Sequence, residues 1–277
     1  MLEHLADYPV QPLYVLSTQK YYVKKVRQFP VTARFARFTC DQDVQTPIFL
    51  PHGGHDIVFE FSANDCNAFI HGMLEDAYTN ISACKKGMTY LVITLKPGFS
   101  EGFGGAAVRE LNDRQLPLDS VFPTWRLLAE EVAAQPDFEA QISTLMKKFV
   151  LPMIRPELGN KNKLLWNIME ENRFSGGQMR LSELEQWTGY SRQYLLRTFK
   201  TYTGVGIKSY SLHTRFQESL SMISSNLYGD MSRIAVECGF FDQSHFTKAF
   251  KKFADFSPTD YAAIMRTADY ERRISRM

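Results

Sequence analysis

The chain has 277 residues, 44% apolar and 22% charged, with 32 basic against 30 acidic side chains and a net charge of +2. This composition excludes a wholly disordered or fibrous chain, and at roughly 100–200 residues per domain the length suits two domains. Apolar runs stay short of the ~20 residues that cross a bilayer, and MLEHLADYPV has neither the basic start nor the apolar core of a signal peptide, so a cytoplasmic protein without a membrane partner is expected.

The front half reads as strands. LYVLS (13–17), PVTARFARFT (30–39), HDIVFEF (55–61) and MTYLVITL (88–95) are β-branched or aromatic-rich and often alternate apolar with polar, with PHGG (51–54) and KPG (96–98) as turns between them. His52, His55 and Asp56 invite a metal reading, but no partner histidine stands near 88–95, and turn residues before a strand explain the same letters; no metal or other cofactor is expected. Glu60, Arg37 and Tyr90 are candidates for an inward face that periodicity does not fix. Cys40, Cys66, Cys84 and Cys238 stand far apart and read as small packing residues in a reducing compartment. Beyond residue 99 the period lengthens to helical in WRLLAEEVAA (125–134) and FEAQISTLMKKFVLPMI (138–154), and RPELGNKNK (155–163) reads as a linker.

Net charge near zero argues against a nucleic-acid binder, but the charge is uneven: residues 1–160 carry −3 and residues 161–277 carry +5. That basic half contains a repeat. LSELEQWTGYSRQYLLRTFK (181–200) aligns with SRIAVECGFFDQSHFTKAFK (232–251), pairing Leu184 with Ile234 and Gly189 with Gly239. After one inserted residue, Leu195 pairs with Phe246, Arg197 with Lys248, Phe199 with Phe250 and Lys200 with Lys251. Each unit reads as a short helix, a glycine turn and a second helix, with a capping box at Ser182 and Glu185 and N-caps at Ser191 and Asp242. The second helices present Arg192, Gln193, Leu196 and Arg197 in one unit and Gln243, Ser244, Thr247 and Lys248 in the other, a polar and basic face suited to base edges in a major groove. An amphipathic helix over 207–225 could hold the units about one DNA turn (roughly 34 Å) apart.

Residues 162–264 resemble the DNA-binding domain of the AraC/XylS family of bacterial transcription regulators. The resemblance rests on Ile234, Ala235, Cys238, Gly239, Phe240, Ser244, Phe246, Phe250, Lys251, Pro258 and Tyr261, and on Leu184, Gly189, Ser191, Leu195, Arg197, Phe199, Lys200, Gly204 and Arg215. Glu185, Gly206, Ile207 and Asp255 depart from the family pattern. Ser257 and Pro258 read as the start of a terminal helix. The resemblance implies DNA contacts by Ser191, Arg192, Gln193, Leu196, Arg197, Lys200, Gln243, Ser244, His245, Thr247, Lys248 and Lys251, and no catalytic residues.

HGGHDIVFEF (52–61) and 91–122 resemble a cupin-like group that precedes AraC-type domains. The expected fold is therefore α+β and multi-domain. A β-rich cupin-like effector-binding or dimerisation domain with trailing helices spans 1–155, a linker 156–163, and an all-α domain of two helix-turn-helix units (about 181–201 and 232–253) 164–267. The implied function is sequence-specific transcription regulation on double-stranded DNA as a homodimer, with a small-molecule effector and RNA polymerase left open as further partners. The competing reading, a cupin-type enzyme or metal-binding protein with a regulatory helical tail, lacks GxSxG, P-loop and HExxH motifs.

Overall fold

A computed structural model describes residues 11–28, 31–44, 49–62, 65–75, 84–96, 108–153, 159–225, 230–267 and 270–277. The strands are β1 Tyr21–Gln28, β2 Val31–Thr39, β3 His55–Phe61, β4 Cys66–His71, β5 Thr89–Leu95, β6 Gln115–Pro117 and β7 Ile274–Arg276. They form one sheet in the order β6-β4-β3-β5-β2-β1-β7, antiparallel throughout except for the parallel pair of β1 and β7. The expected α+β division holds: the helix-turn-helix half is all helical up to the final strand.

Alternation sends neighbouring residues to opposite faces of the sheet. One face carries Phe35, Ile57, Phe59, Ile70, Leu91 and Ile93. It is covered by α3 Trp125–Ala133 and α4 Phe138–Leu145 through Trp125, Leu128, Val132, Phe138, Ile142 and Leu145. The other face carries Tyr21, Val23, Ala36, Phe38, Val58, Tyr90 and Val92, and it belongs to the same core as Phe216, Leu220, Ile234, Phe246 and Phe250 of the helical half.

Three readings of the front half change. LYVLS is not a strand but the helix α1 Pro12–Leu16. Pro12 opens it, where a missing N–H costs nothing, and the Gln11 side chain anchors it by donating to the Leu50 carbonyl (2.7 Å) and accepting from the Leu50 amide (3.0 Å). The helix over 138–154 is not uniform: it widens to a π-turn at Met146–Val150 and tightens to a 3-10 turn at Leu151–Met153. Pro152 lacks the donor an α-helix would need there. The 97–107 part of the cupin-like stretch and residues 155–158 of the expected linker lie outside the described residues, and helix α5 runs Gly159–Phe174. The short helix α2 spans Val108–Leu111.

In the back half, α6 Leu181–Thr188, α7 Arg192–Thr203, α8 Ile207–Ser224, α9 Met231–Glu237, α10 Gln243–Ala254 and α11 Pro258–Thr267 follow in order. The α6–α7 unit packs Leu184, Leu195 and Phe199 against Leu165 and Ile168 of α5 and Ile207 and Tyr210 of α8, with Met73 of the front half inserted among them. The α9–α10 unit packs Ile234, Phe246 and Phe250 against Phe216 and Leu220 of α8 and Tyr261 of α11. Helix α8 thus serves one unit with each end, and its 18 residues span about 27 Å at 1.5 Å per residue. The chain then turns through α12 Tyr270–Arg273 back to the sheet. Among the described residues no helix is long and apolar enough to cross a membrane.

Candidate nucleic-acid interface

Both turns have the expected geometry. Gly189 and Gly239 take φ of 70° and 75°, a backbone that side chains rarely adopt. Each second helix is then capped as its sequence implies: Ser191 accepts from the Tyr194 amide (3.4 Å) and Asp242 from the His245 amide (2.7 Å). The first helix is capped differently from expectation. It begins two residues earlier, with Arg180 and not Ser182 at the cap, so Glu183, not Glu185, reaches back, accepting from the Arg180 amide (3.1 Å). Glu185 instead accepts from the Arg192 amide (2.7 Å), placing a carboxylate at the positive end of α7. Its departure from the family pattern therefore joins α6 to α7 rather than capping α6.

At about 100° per residue, Arg192, Gln193, Leu196, Arg197 and Lys200 fall within about 140° of the α7 circumference. Gln243, Ser244, Thr247, Lys248 and Lys251 occupy the same arc on α10, 51 positions later. All are exposed except Leu196 and Thr247, which are half-buried at the edge of the core. Ser191 stands at the start of the first arc as the cap. His245 falls outside the second arc: its Nδ1 accepts from the Phe241 amide (3.3 Å), and its ring meets Phe240 edge-on. Two aromatic residues carry no signal in the polar pattern of these helices. Tyr190 and Phe241 are exposed immediately before the two caps, and Tyr190 stacks on Tyr194 at 4.7 Å. Their position next to each N-cap was the signal that could have found them.

Arg215 of α8 fixes one unit against the other. Its Nε donates to the Gly177 carbonyl and its Nη1 to the Gly239 carbonyl, both at 2.8 Å, so one guanidinium spans the approach to α6 and the turn of the second unit. Gln178 adds a bond to the Glu237 carbonyl (3.0 Å).

In the front half, the PHGGHD residues join a buried polar row across four strands. Arg34, Thr94, Asp56 and His71 are register neighbours on β2, β5, β3 and β4. Arg34 donates to Thr94 (3.0 Å), Thr94 donates to Asp56 (2.5 Å), and His52 Nε2 lies 2.8 Å from Asp56. Burial opposes ionisation of Asp56, yet the His52 ring, Arg34 and the Thr94 hydroxyl hold its carboxyl well below the usual range. Burial pulls His55 and His71 down to about 4. Among the described residues no three His, Cys, Asp or Glu side chains are arranged to hold a metal. Of the candidate inward residues, Glu60 and Tyr90 face each other in register and line a cavity of about 550 Å³ with Asn67, Phe69, Lys85 and Met88. Arg37, opposite Leu91, projects from the other face. Burial raises the Glu60 carboxyl pKa, with Lys85 opposing.

Two tandem units, each a glycine-turned helix pair offering a polar and basic second helix, define a helix-turn-helix DNA-binding domain. Residues 185–264 match the family model described as a helix-turn-helix domain, and this C-terminal part of the chain is AraC-type. The protein is a DNA-binding transcription regulator. It is similar to the transcriptional regulatory protein HptR of Staphylococcus aureus, 25% identical over 79% of this chain and 78% of that one. It is also similar to the Msm operon regulatory protein of Streptococcus mutans, 30% identical over 31% of each chain. Among solved structures, ToxT from Vibrio cholerae covers 84% of this chain and 98% of its own at 13% identity and a TM-score of 0.43. The C-terminal domain of AraT from Geobacillus stearothermophilus covers 37% of this chain and 83% of its own at 23% identity and a TM-score of 0.33.

Proposed function

We propose that this protein reads two adjacent major-groove segments of bacterial promoter DNA with α7 and α10, and that a small molecule acting on the front half modulates the reading. The observation that carries it is the pair of repeat-equivalent exposed arcs, both headed by a capped N-terminus and both joined to α8. Arg197 and Lys248 sit at the same point of each arc and make the base contacts; Lys200 and Lys251, a turn later, neutralise phosphates. Residues 159–267, from the start of α5, are the reader, 156–158 the linker, and 1–155 the cupin-like sensing and dimerising region. The chain works in the cytoplasm as a homodimer that meets RNA polymerase at the promoter, by binding and not by catalysis. The effector enters the cavity of Glu60, Asn67 and Tyr90, whose half-buried carboxyl, exposed amide and buried aromatic ring suit a small polar molecule. A gel-shift assay tests the reading: the full chain retards a promoter duplex, and Arg197→Ala or Lys248→Ala abolishes the shift while circular dichroism stays native. Normal shifts by both variants would remove the assignment of these two faces.

A further inference from the structure

Tyr190 and Phe241 hold equivalent places in the two units, each directly before the N-cap of its second helix. An apolar residue there usually folds back onto the fourth helical residue, which is Leu195 in α7 and Phe246 in α10. In the second unit Phe240 fills that place, with its ring 5.2 Å from Phe246 and only 5% exposed. Phe241 is left 89% exposed, and Tyr190 is 45% exposed on top of Tyr194. Neither backbone is loose. The Phe241 amide donates to His245 Nδ1 (3.3 Å) and the Tyr190 amide to Thr188 Oγ1 (3.3 Å), so a side chain of its own unit pins each aromatic residue.

We infer that Phe241, and Tyr190 at the matching point of the first unit, make apolar contacts with thymine methyl groups in the major groove, adding thymine preference beside each polar arc. The inference rests on the DNA-binding reading above. The N-terminal turn of a recognition helix is the part that meets base edges, and the thymine C5-methyl is the apolar group the major groove offers. Charge supports duplex DNA as the occupant: Arg192 follows Tyr190 by two residues, and α10, which Phe241 precedes, carries Lys248 and Lys251 on its exposed arc. His245 becomes a positioning residue for Phe241 and not a base contact.

The test uses the full chain and a duplex that it selects from a random library. Phe241→Ala should weaken binding to that duplex about tenfold, with an unchanged melting temperature because the ring is exposed. The salt dependence should keep its slope, since no phosphate contact is lost. Replacing thymines one at a time with deoxyuridine removes only the methyl. One such replacement should weaken the wild type about threefold and leave Phe241→Ala unaffected. Wild-type affinity in Phe241→Ala overturns the inference, including the case in which promoter activation alone is lost, which would assign the ring to a protein partner. Equal sensitivity of both proteins to every deoxyuridine also overturns it. Failure of DNA binding as such is told apart by the parent chain selecting no duplex.

Discussion

Asp255 shows how a single residue departs from the family pattern without disturbing the fold. It closes α10 in a left-handed conformation, φ 64°, with its amide donating to the Lys251 carbonyl (2.9 Å). Aspartate tolerates this region better than most residues, yet glycine adopts it without the Cβ clash. Asp255→Gly is therefore expected to stabilise the protein by about 0.5–1 kcal/mol, read as a rise of a few degrees in thermal unfolding. A fall in melting temperature would mean that the carboxylate has a compensating role. The sequence identified this position because glycine is usual there. It misjudged Glu185, whose partner is the Arg192 amide seven residues on; a capping box three residues long is visible in a sequence, whereas a contact across a turn depends on the crossing of two helices.

Among elements, the helix-turn-helix units were legible because their determinants are local: a glycine with positive φ, a cap residue and apolar spacing within twenty residues. The sheet was less so. β1 (YYVKKVRQ) went unread because Lys24 and Lys25 interrupt its alternation, and the five residues of α1 carry too little periodicity to distinguish helix from strand. The polar row between β2 and β4 could not be seen before register was known, and it has a consequence for stability. His55 and His71 stay neutral in the fold, with pKa near 4 against an ordinary 6.5. Unfolded chains take up both protons below pH 6.5 and the folded chain does not until about pH 4. This contribution is complete above pH 6.5 and is lost as pH falls towards 4, by about 3 kcal/mol per histidine. Thermal unfolding between pH 7.5 and 4.5 should show the decline, and His71→Phe should make it shallower; a flat profile in the parent protein would contradict neutral burial.

At the scale of the whole molecule the two halves are tied together, which nothing in the sequence announced. His213 Nε2 bonds to the Glu75 carbonyl (3.3 Å), Gln217 donates to the Pro51 carbonyl, and the buried Lys96 pairs with the half-buried Glu170 (2.6 Å), joining the end of β5 to α5. The last residues return to the front half: β7 pairs with β1, Tyr270 is buried, and Arg273 donates to the Leu16 and Thr18 carbonyls (3.1 and 2.9 Å). Partners some 250 positions apart leave no local pattern to read. Deleting residues 270–277 should cost about 3 kcal/mol and lower the melting temperature by about 6–10 °C. An unchanged transition would show that this final segment does not hold the halves together.

The +2 net charge averages a mildly acidic front half with a basic reader, and the position of that charge decides function. The most direct test compares affinities for a duplex selected by the full chain and for a scrambled one of equal length. Arg197→Ala and Lys248→Ala should each weaken binding to the selected duplex by about tenfold or more, enough to abolish its gel shift, and leave the scrambled duplex bound nearly as before. Wild-type affinity for the selected duplex in both variants would contradict recognition by these two helices.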